Sequence, residues 1–322
     1  MDDLETALLV SAYEALNIDQ YWPECDSREE WDDDKDEEFP IFLSFFEQLF
    51  DVVVQQNNLT NEEKVRQAIH HLVSNYSKTN NGQTPQELDF NDLSNCVAYL
   101  HRYAACHAAL MRSVLVRLFH ICPPAQVRRM LSLKQNLKVL SMGGGPGSDA
   151  FGFISALYGR HYGLQSLDLF VLDSGSAWDV VLASSSQLLR RGSLGNASAI
   201  FSEVNTKVQF IHACIKGSEI KTLVQGMDVV LLAKVLSVVP DREKVSYLQN
   251  IVSSMKPGSL LIYVDCPFAK AAFQSQSELL EPIYTAEKSR FHFNYEVERF
   301  GFKNITTCQA DVRAYIKKYA PS

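Results

Sequence analysis

The chain has 322 residues, 46% of them apolar and 21% charged, with a formal charge of −8. Such proportions describe a globular chain and exclude a disordered or fibrous one. The charge is uneven: residues 24–38, ECDSREEWDDDKDEE, hold ten acids and two bases, and outside them 28 acids face 28 bases. From Leu93 to Ser148 there is no acid, yet seven bases occur: Arg102, Arg112, Arg117, Arg128, Arg129, Lys134 and Lys138. A uniformly basic nucleic-acid coat is therefore excluded, whereas an anionic partner is not.

In chain order, the first 120 residues read as helical. Leu4, Leu8, Ala12, Ala15 and Leu16 make a short stripe at helical spacing. After the acidic segment, expected to be an exposed loop, residues 41–53 show a broad apolar face. Thr60 with Glu63 forms a capping box that opens a further helix. Residues 77–86, SKTNNGQTPQ, read as a linker. A long helix follows, with one seam through Leu93, Val97, Leu100, Ala104, His107, Met111, Val114, Leu118 and Ile121. Pro123 and Pro124 end it. His107 on that seam is expected to be a packed, hydrogen-bonded histidine.

The pattern then changes. Apolar runs at Leu137–Met142, Leu167–Leu172, Val208–Ile211, Met227–Ala233 and Ser259–Val264 alternate with segments long enough for crossover helices. Continuous apolar runs suit parallel strands covered on both faces. This predicts a doubly wound α/β domain over 125–322, preceded by a helical domain over 1–124. The polar stretch 184–198 reads as a loop. The seven cysteines are scattered, without metal-ligand spacing, so no metal is expected. The acidic start MDDLE is unlike a signal peptide, and the most apolar stretch, Gly226–Val239, is broken by Asp228 and Lys234. No membrane association is expected, and a cytoplasmic or nuclear location is.

The first strand runs into Gly143-Gly144-Gly145-Pro146-Gly147-Ser148-Asp149 and then a helix. Glycines permit positive φ and close approach of backbone to a ligand, and the helix start offers free N–H groups. Asp173 ends the second strand, where an acid hydrogen-bonds ribose hydroxyls in nucleotide-binding α/β folds. Trp178, five residues later, is expected to pack in the core rather than stack on a ligand.

These features resemble class I S-adenosylmethionine-dependent methyltransferases over residues 125–320. LKVLSMGGGPG resembles that family's first motif, with Gly143, Gly145 and Gly147 as its glycines and Gly144 between them. MDVVLLAKVLSVV and MKPGSLLIYVD resemble its fourth and fifth strands. Asn304–Cys308 and Val312–Ile316 resemble the antiparallel hairpin that separates the family from dehydrogenases. The resemblance implies a mostly parallel seven-stranded sheet and S-adenosyl-L-methionine as cofactor. It implies cofactor contacts from Ser141, the glycines, Asp149, Asp173, Ser174, His212, Ala213 and Ala233. Ser141 stands where the family often has an acid. Lys234 and Asp265, after strands four and five, are the candidate catalytic residues. The acceptor is expected to be RNA or a protein, met through the basic segment Arg102–Lys138, ahead of a small molecule. A catalytically inactive binding subunit or cofactor sensor is the other reading. A nicotinamide oxidoreductase would need GxGxxG, and the sixth position here is Ser148. Oligomeric state is not fixed by the sequence.

Overall fold

The computed structural model describes residues 38–59, 61–80, 88–121, 125–214, 219–265 and 270–319. The first expected helix, most of the acidic segment, Thr60, residues 81–86 and Cys266 lie outside these. Helix α1 spans Phe39–Gln56 and α2 spans Glu62–Asn80. The cap of α2 falls on Asn61, whose Oδ1 accepts from Lys64 N at 3.0 Å. Because α2 continues to Asn80, the first part of the expected linker is helical. A long helix begins as α3, Leu93–Tyr99, capped by Asp92. It passes through a π-turn over Leu100–Ala104 and continues as α4, Ala105–His120. The seam predicts no such interruption.

Helix α5, Ala125–Leu133, leads into the sheet. The strands are β1 (Asn136–Met142), β2 (Ser166–Asp173), β3 (Asn205–His212), β4 (Val229–Ala233) and β5 (Leu260–Asp265). Between them lie α6 (Ser148–Leu157), α7 (Trp178–Arg190), α8 (Gly195–Glu203), α9 (Glu219–Gln225) and α10 (Asp241–Ser254). Helix α11 (Lys270–Gln274) precedes β6 (Leu280–His292), a small ribbon of β7 (Glu298–Arg299) and β8 (Phe302–Lys303), and β9 (Thr307–Lys317). The described residues form one seven-stranded sheet in the order β3-β2-β1-β4-β5-β9-β6. Strands β1 to β5 are parallel, and β9 runs antiparallel to both β5 and β6. This is the mostly parallel seven-stranded sheet that the resemblance implies.

The alternation along each strand builds the two faces. Val139, Leu169, Leu231, Ile262 and Val312 point into the core shared with α1, α4, α6 and α7. Leu140, Leu172, Leu232, Tyr263 and Tyr315 point toward α9, α10 and α11. The first core is continuous across the expected 124/125 boundary. Its tightest joint is Gly152 in α6, where a Cβ would collide with the Ala108 carbonyl of α4.

Two expectations are corrected. Residues 184–198 are not a loop: α7 runs through Arg190. Its Ser184, Ser185 and Ser186 hydroxyls donate to the carbonyls of Val180, Val181 and Leu182 at 2.9–3.1 Å, so their polarity is satisfied within the helix. Nor do 304–308 and 312–316 form a hairpin. They belong largely to the single strand β9, whose hairpin partner is β6. The polar break at Asp311 misleads, because its carboxylate is buried and accepts from Lys288 N at a bulge in β6. Strand β6 is masked in sequence by the devices that protect an edge: Pro282, charged residues and two register shifts. Among the described residues, no helix is long and apolar enough to cross a membrane.

Gly152→Ala should lower stability by about 1–3 kcal/mol through overpacking, where an unhindered helix would gain about 1 kcal/mol from the same change. Urea unfolding measures it, and an unchanged or raised midpoint would refute the close α4–α6 joint.

Candidate active site

The carboxyl ends of β1 and β4 meet at the point where the strand order reverses, the usual ligand crevice of open α/β sheets. The glycine turn lies there. Gly143, Gly145 and Gly147 have φ of +62°, +49° and +85°. Gly144 donates to the Leu172 carbonyl at 3.1 Å, and Gly147 donates to the Gly144 carbonyl at 2.8 Å. A Cβ on Gly143 would meet Val235 at 2.9 Å, and one on Gly145 would meet the Trp178 indole at 3.4 Å. Trp178 is buried, as expected, but its ring forms the floor against which the turn lies.

Asp173 ties the two loops together. Its Oδ2 accepts from Gly145 N at 3.0 Å and its Oδ1 from Gly175 N at 2.9 Å. Burial raises its pKa, while the backbone bonds from Gly175, Gly145 and Ser174 oppose that. Three such bonds leave about one of the carboxylate's four lone-pair sites open, and the residue is only half-buried. His212 pairs in register with Asp173, and its Nε2 lies 3.0 Å from the Ser174 carbonyl. Ala213 N donates to the Asp173 carbonyl at 3.1 Å. Asp173, Ser174, His212 and Ala213 therefore form one continuous rim.

Ser141 and Asp149 are brought together but turned inward. The Ser141 hydroxyl donates to both carboxylate oxygens of Asp149 at 2.8–2.9 Å. The two residues are 0% and 4% exposed. Asp149, at the start of α6, thus lies against Ser141 on β1. Burial pushes the Asp149 carboxyl up to about 6 against the Ser141 and backbone bonds, and the Asp173 charge adds to the rise.

After β4, Ala233 is half-buried and Lys234 has φ +58°. Such a conformation in a residue other than glycine costs free energy and clusters at functional sites. Lys234 N donates to the Val264 carbonyl at 2.9 Å, and its Nζ lies 3.5 Å from the Gln309 carbonyl on β9. Asp265 ends β5, is fully buried and accepts from Ser237 N at 3.0 Å. That bond fixes the turn after β4, which also carries Lys234.

The helical region closes over this edge. On the β2 side, Asn91 Oδ1 accepts from Ser176 N and Oγ at 2.9 and 2.8 Å, and Phe90 packs on Gly175. Phe90 and Tyr99 meet Trp178 with ring centroids at 5.1 and 5.6 Å. On the β8 side, Ile305 N donates to the Arg102 carbonyl at 2.9 Å, and the Arg102 guanidinium donates to the Lys303 carbonyl. His101 lies between Glu47 Oε1 and the Phe302 carbonyl, at 2.7 and 2.9 Å. Arg299 pairs with Glu47 and Asp51 of α1.

These cap residues escaped sequence reading, because their roles depend on contacts far apart in the chain. The basic segment does not lead to the site as one stripe. Lys134 and Lys256 pair with buried Asp228 at the opposite sheet edge, and Arg117 lies 4.7 Å from the Phe291 ring. Among the described residues, no group of three or more His, Cys, Asp or Glu could hold a metal.

No family model and no curated protein matches the chain. Solved structures do. The magnesium protoporphyrin IX methyltransferase ChlM from Synechocystis PCC 6803, with bound SAM, is 14% identical over 67% of this chain and 84% of its own, with TM-score 0.40. A putative class I S-adenosylmethionine-dependent methyltransferase from Listeria monocytogenes is 11% identical over 89% and 90%, also at 0.40. The N-methyltransferase NodS from Bradyrhizobium japonicum WM9, in complex with S-adenosyl-L-homocysteine, is 13% identical over 60% and 83%, at 0.35. Likeness at this level is a likeness of fold alone; the functional reading rests on the geometry above.

A raised acid pKa means that the folded state binds the proton more tightly than the unfolded chain. Asp149 therefore lowers stability progressively as pH rises from about 4 to 6. Asp149→Asn should stabilise the fold at pH 7.5, by up to ~3 kcal/mol, and do so little at pH 4. Thermal unfolding at both pH values checks this, and an equal shift at both would refute it.

Proposed function

We propose that the chain transfers methyl groups from S-adenosyl-L-methionine. The observation that carries this reading is the bond from Gly145 N to Asp173, which joins the glycine turn to the acid ending β2 at the switch in strand order. The antiparallel β9, set between β5 and β6, favours this reading over a nicotinamide oxidoreductase, as the family resemblance implies.

The residues present fit the cofactor. Gly143 and Gly145 leave a cradle that side chains would fill against Val235 and Trp178. Asp173 would hold a ribose hydroxyl with the acceptor site that its backbone bonds leave over, and His212 and Ala213 would flank the adenine. Asp149, held on Ser141, is the carboxylate nearest in role to the missing strand acid and would act on the amino group. When bound, the sulfonium supplies an activated methyl group. The chain's own contribution is placement: the Asp265–Ser237 bond sets the turn that carries Lys234 at the acceptor side. In-line displacement gains most from such positioning.

Calorimetry with S-adenosyl-L-methionine should give a saturable isotherm, and Gly145→Asp should abolish it. That change puts a side chain at positive φ against Trp178 and a second carboxylate beside Asp173. Absence of binding at millimolar cofactor would overturn the function, and retained affinity in the variant would overturn the site.

A further inference from the structure

The two edges of the sheet are built differently. An edge strand offers unpaired N–H and C=O groups to any chain that can add a strand, and proteins guard against this with proline, charge or bulges. The β6 edge carries Pro282, charged side chains and two register shifts. The β3 edge has neither proline nor bulge: it pairs with β2 in unbroken register from Asn205 to His212. Its one charged side chain beside the histidine, Lys207, stands opposite Asp168 of β2. Among the described residues, no strand pairs with the outer side of β3.

Hydrogen bonds at the two ends of β3 show which groups point outward. Asn205 N donates to the Gln165 carbonyl and Ala213 N to the Asp173 carbonyl, each at 3.1 Å. The odd-numbered residues therefore turn their backbone groups toward β2. Backbone direction alternates along a strand, so Thr206, Val208, Phe210 and His212 present theirs to the open side. Arg190 of α7 covers one of these groups, donating to the Thr206 carbonyl at 3.2 Å. Val208 and Phe210 pack on the core yet keep accessible surface, and Lys207 and Gln209 are exposed.

This edge is complementary to itself. If a second copy approaches antiparallel, with the two-fold axis through Gln209, all four outward residues enter the ladder. A register centred on Val208 would leave out His212, and one centred on Phe210 would leave out Thr206. With the axis at Gln209, Val208 meets Phe210 of the second copy. A β-branched residue opposite an aromatic one is a favourable cross-strand pair. Lys207 meets Ile211, so no like charges stand opposite each other, and Gln209 meets Gln209.

We propose that two copies of this chain associate through their β3 edges, joining two seven-stranded sheets into one. A ladder this short covers less than the standard interface of about 1,600 Å², so the dimer is reversible. The ladder ends at His212, on the rim of the candidate site, but the proposal does not depend on the methyltransferase reading.

Sedimentation velocity on the full chain tests it. The wild type should pass from monomer to dimer as concentration rises. Gln209→Glu and Gln209→Lys each set like charges across the axis and should be monomeric where the wild type is half dimeric. An equimolar mixture of the two should restore the dimer. Gln209 is exposed, so neither change should alter the thermal unfolding of the monomer. A wild type that stays monomeric up to about 1 mM would overturn the proposal. So would charged variants that dimerise alone as the wild type does, or a mixture no more associated than its parts. Cross-linking tests the register. Opposed residues at a non-hydrogen-bonded position have Cα atoms about 4.5 Å apart, within reach of a disulfide. The exposed Cys214 is first replaced by serine. In that background Gln209→Cys should give a disulfide-linked dimer with oxidised glutathione, which leaves as two thiols, and Lys207→Cys should not. No cross-link at 209, or an equal one at 207, would overturn the pairing.

Discussion

The carboxylate of Asp173 organises the candidate site. One oxygen holds Gly145 N and the other holds Gly175 N. The first bond sets the glycine turn after β1, and the second shapes the loop after β2. That loop in turn carries the cap, because Phe90 packs on Gly175 and Asn91 accepts from Ser176. Charge-assisted bonds to backbone N–H groups are stronger than neutral ones, and burial makes their loss more costly. Removing this carboxylate would free the turn, the loop and one anchor of the helical cap together. The same group that would hold a ribose is thus also the keystone between sheet and cap.

Much of the fold was legible in the sequence because it follows from periodicity. The five apolar runs became β1 to β5 within about three residues at each end, since strands buried on both faces leave no other pattern. Asp173 and the glycine turn were legible because positive φ and a strand-end acid are local requirements. What stayed hidden is non-local or runs against local appearance. Strand β6 looks like a loop because an exposed edge is kept polar. Ser184–Ser186 look like a loop because their back-bonds to the preceding turn are invisible without coordinates. The π-turn leaves the apolar seam intact, so the alignment of Tyr99 with His107 could not be read from it. His107 was expected to be a packed, hydrogen-bonded histidine, and it is: its Nδ1 lies 2.7 Å from the Tyr99 hydroxyl and its ring packs on Tyr103.

The charge distribution takes on a different meaning in three dimensions. Lys134 neutralises Asp228 at the amino-terminal edge of the sheet, far from the crevice. Arg102 caps a carbonyl of the β7–β8 ribbon, and Arg117 covers an aromatic ring on β6. These bases serve the joints between cap and sheet. Glu38, the last acid of the acidic segment, is buried and accepts from Ser155 of α6 at 2.8 Å. So both biased segments contribute to holding the helical region on the α/β domain. Lys234, in the turn after β4, comes from neither. It interrupts the most apolar stretch of the chain, in a backbone conformation that lysine adopts at a cost. A lysine held there against backbone strain marks the turn after β4 as a candidate position more directly than the conspicuous basic run does.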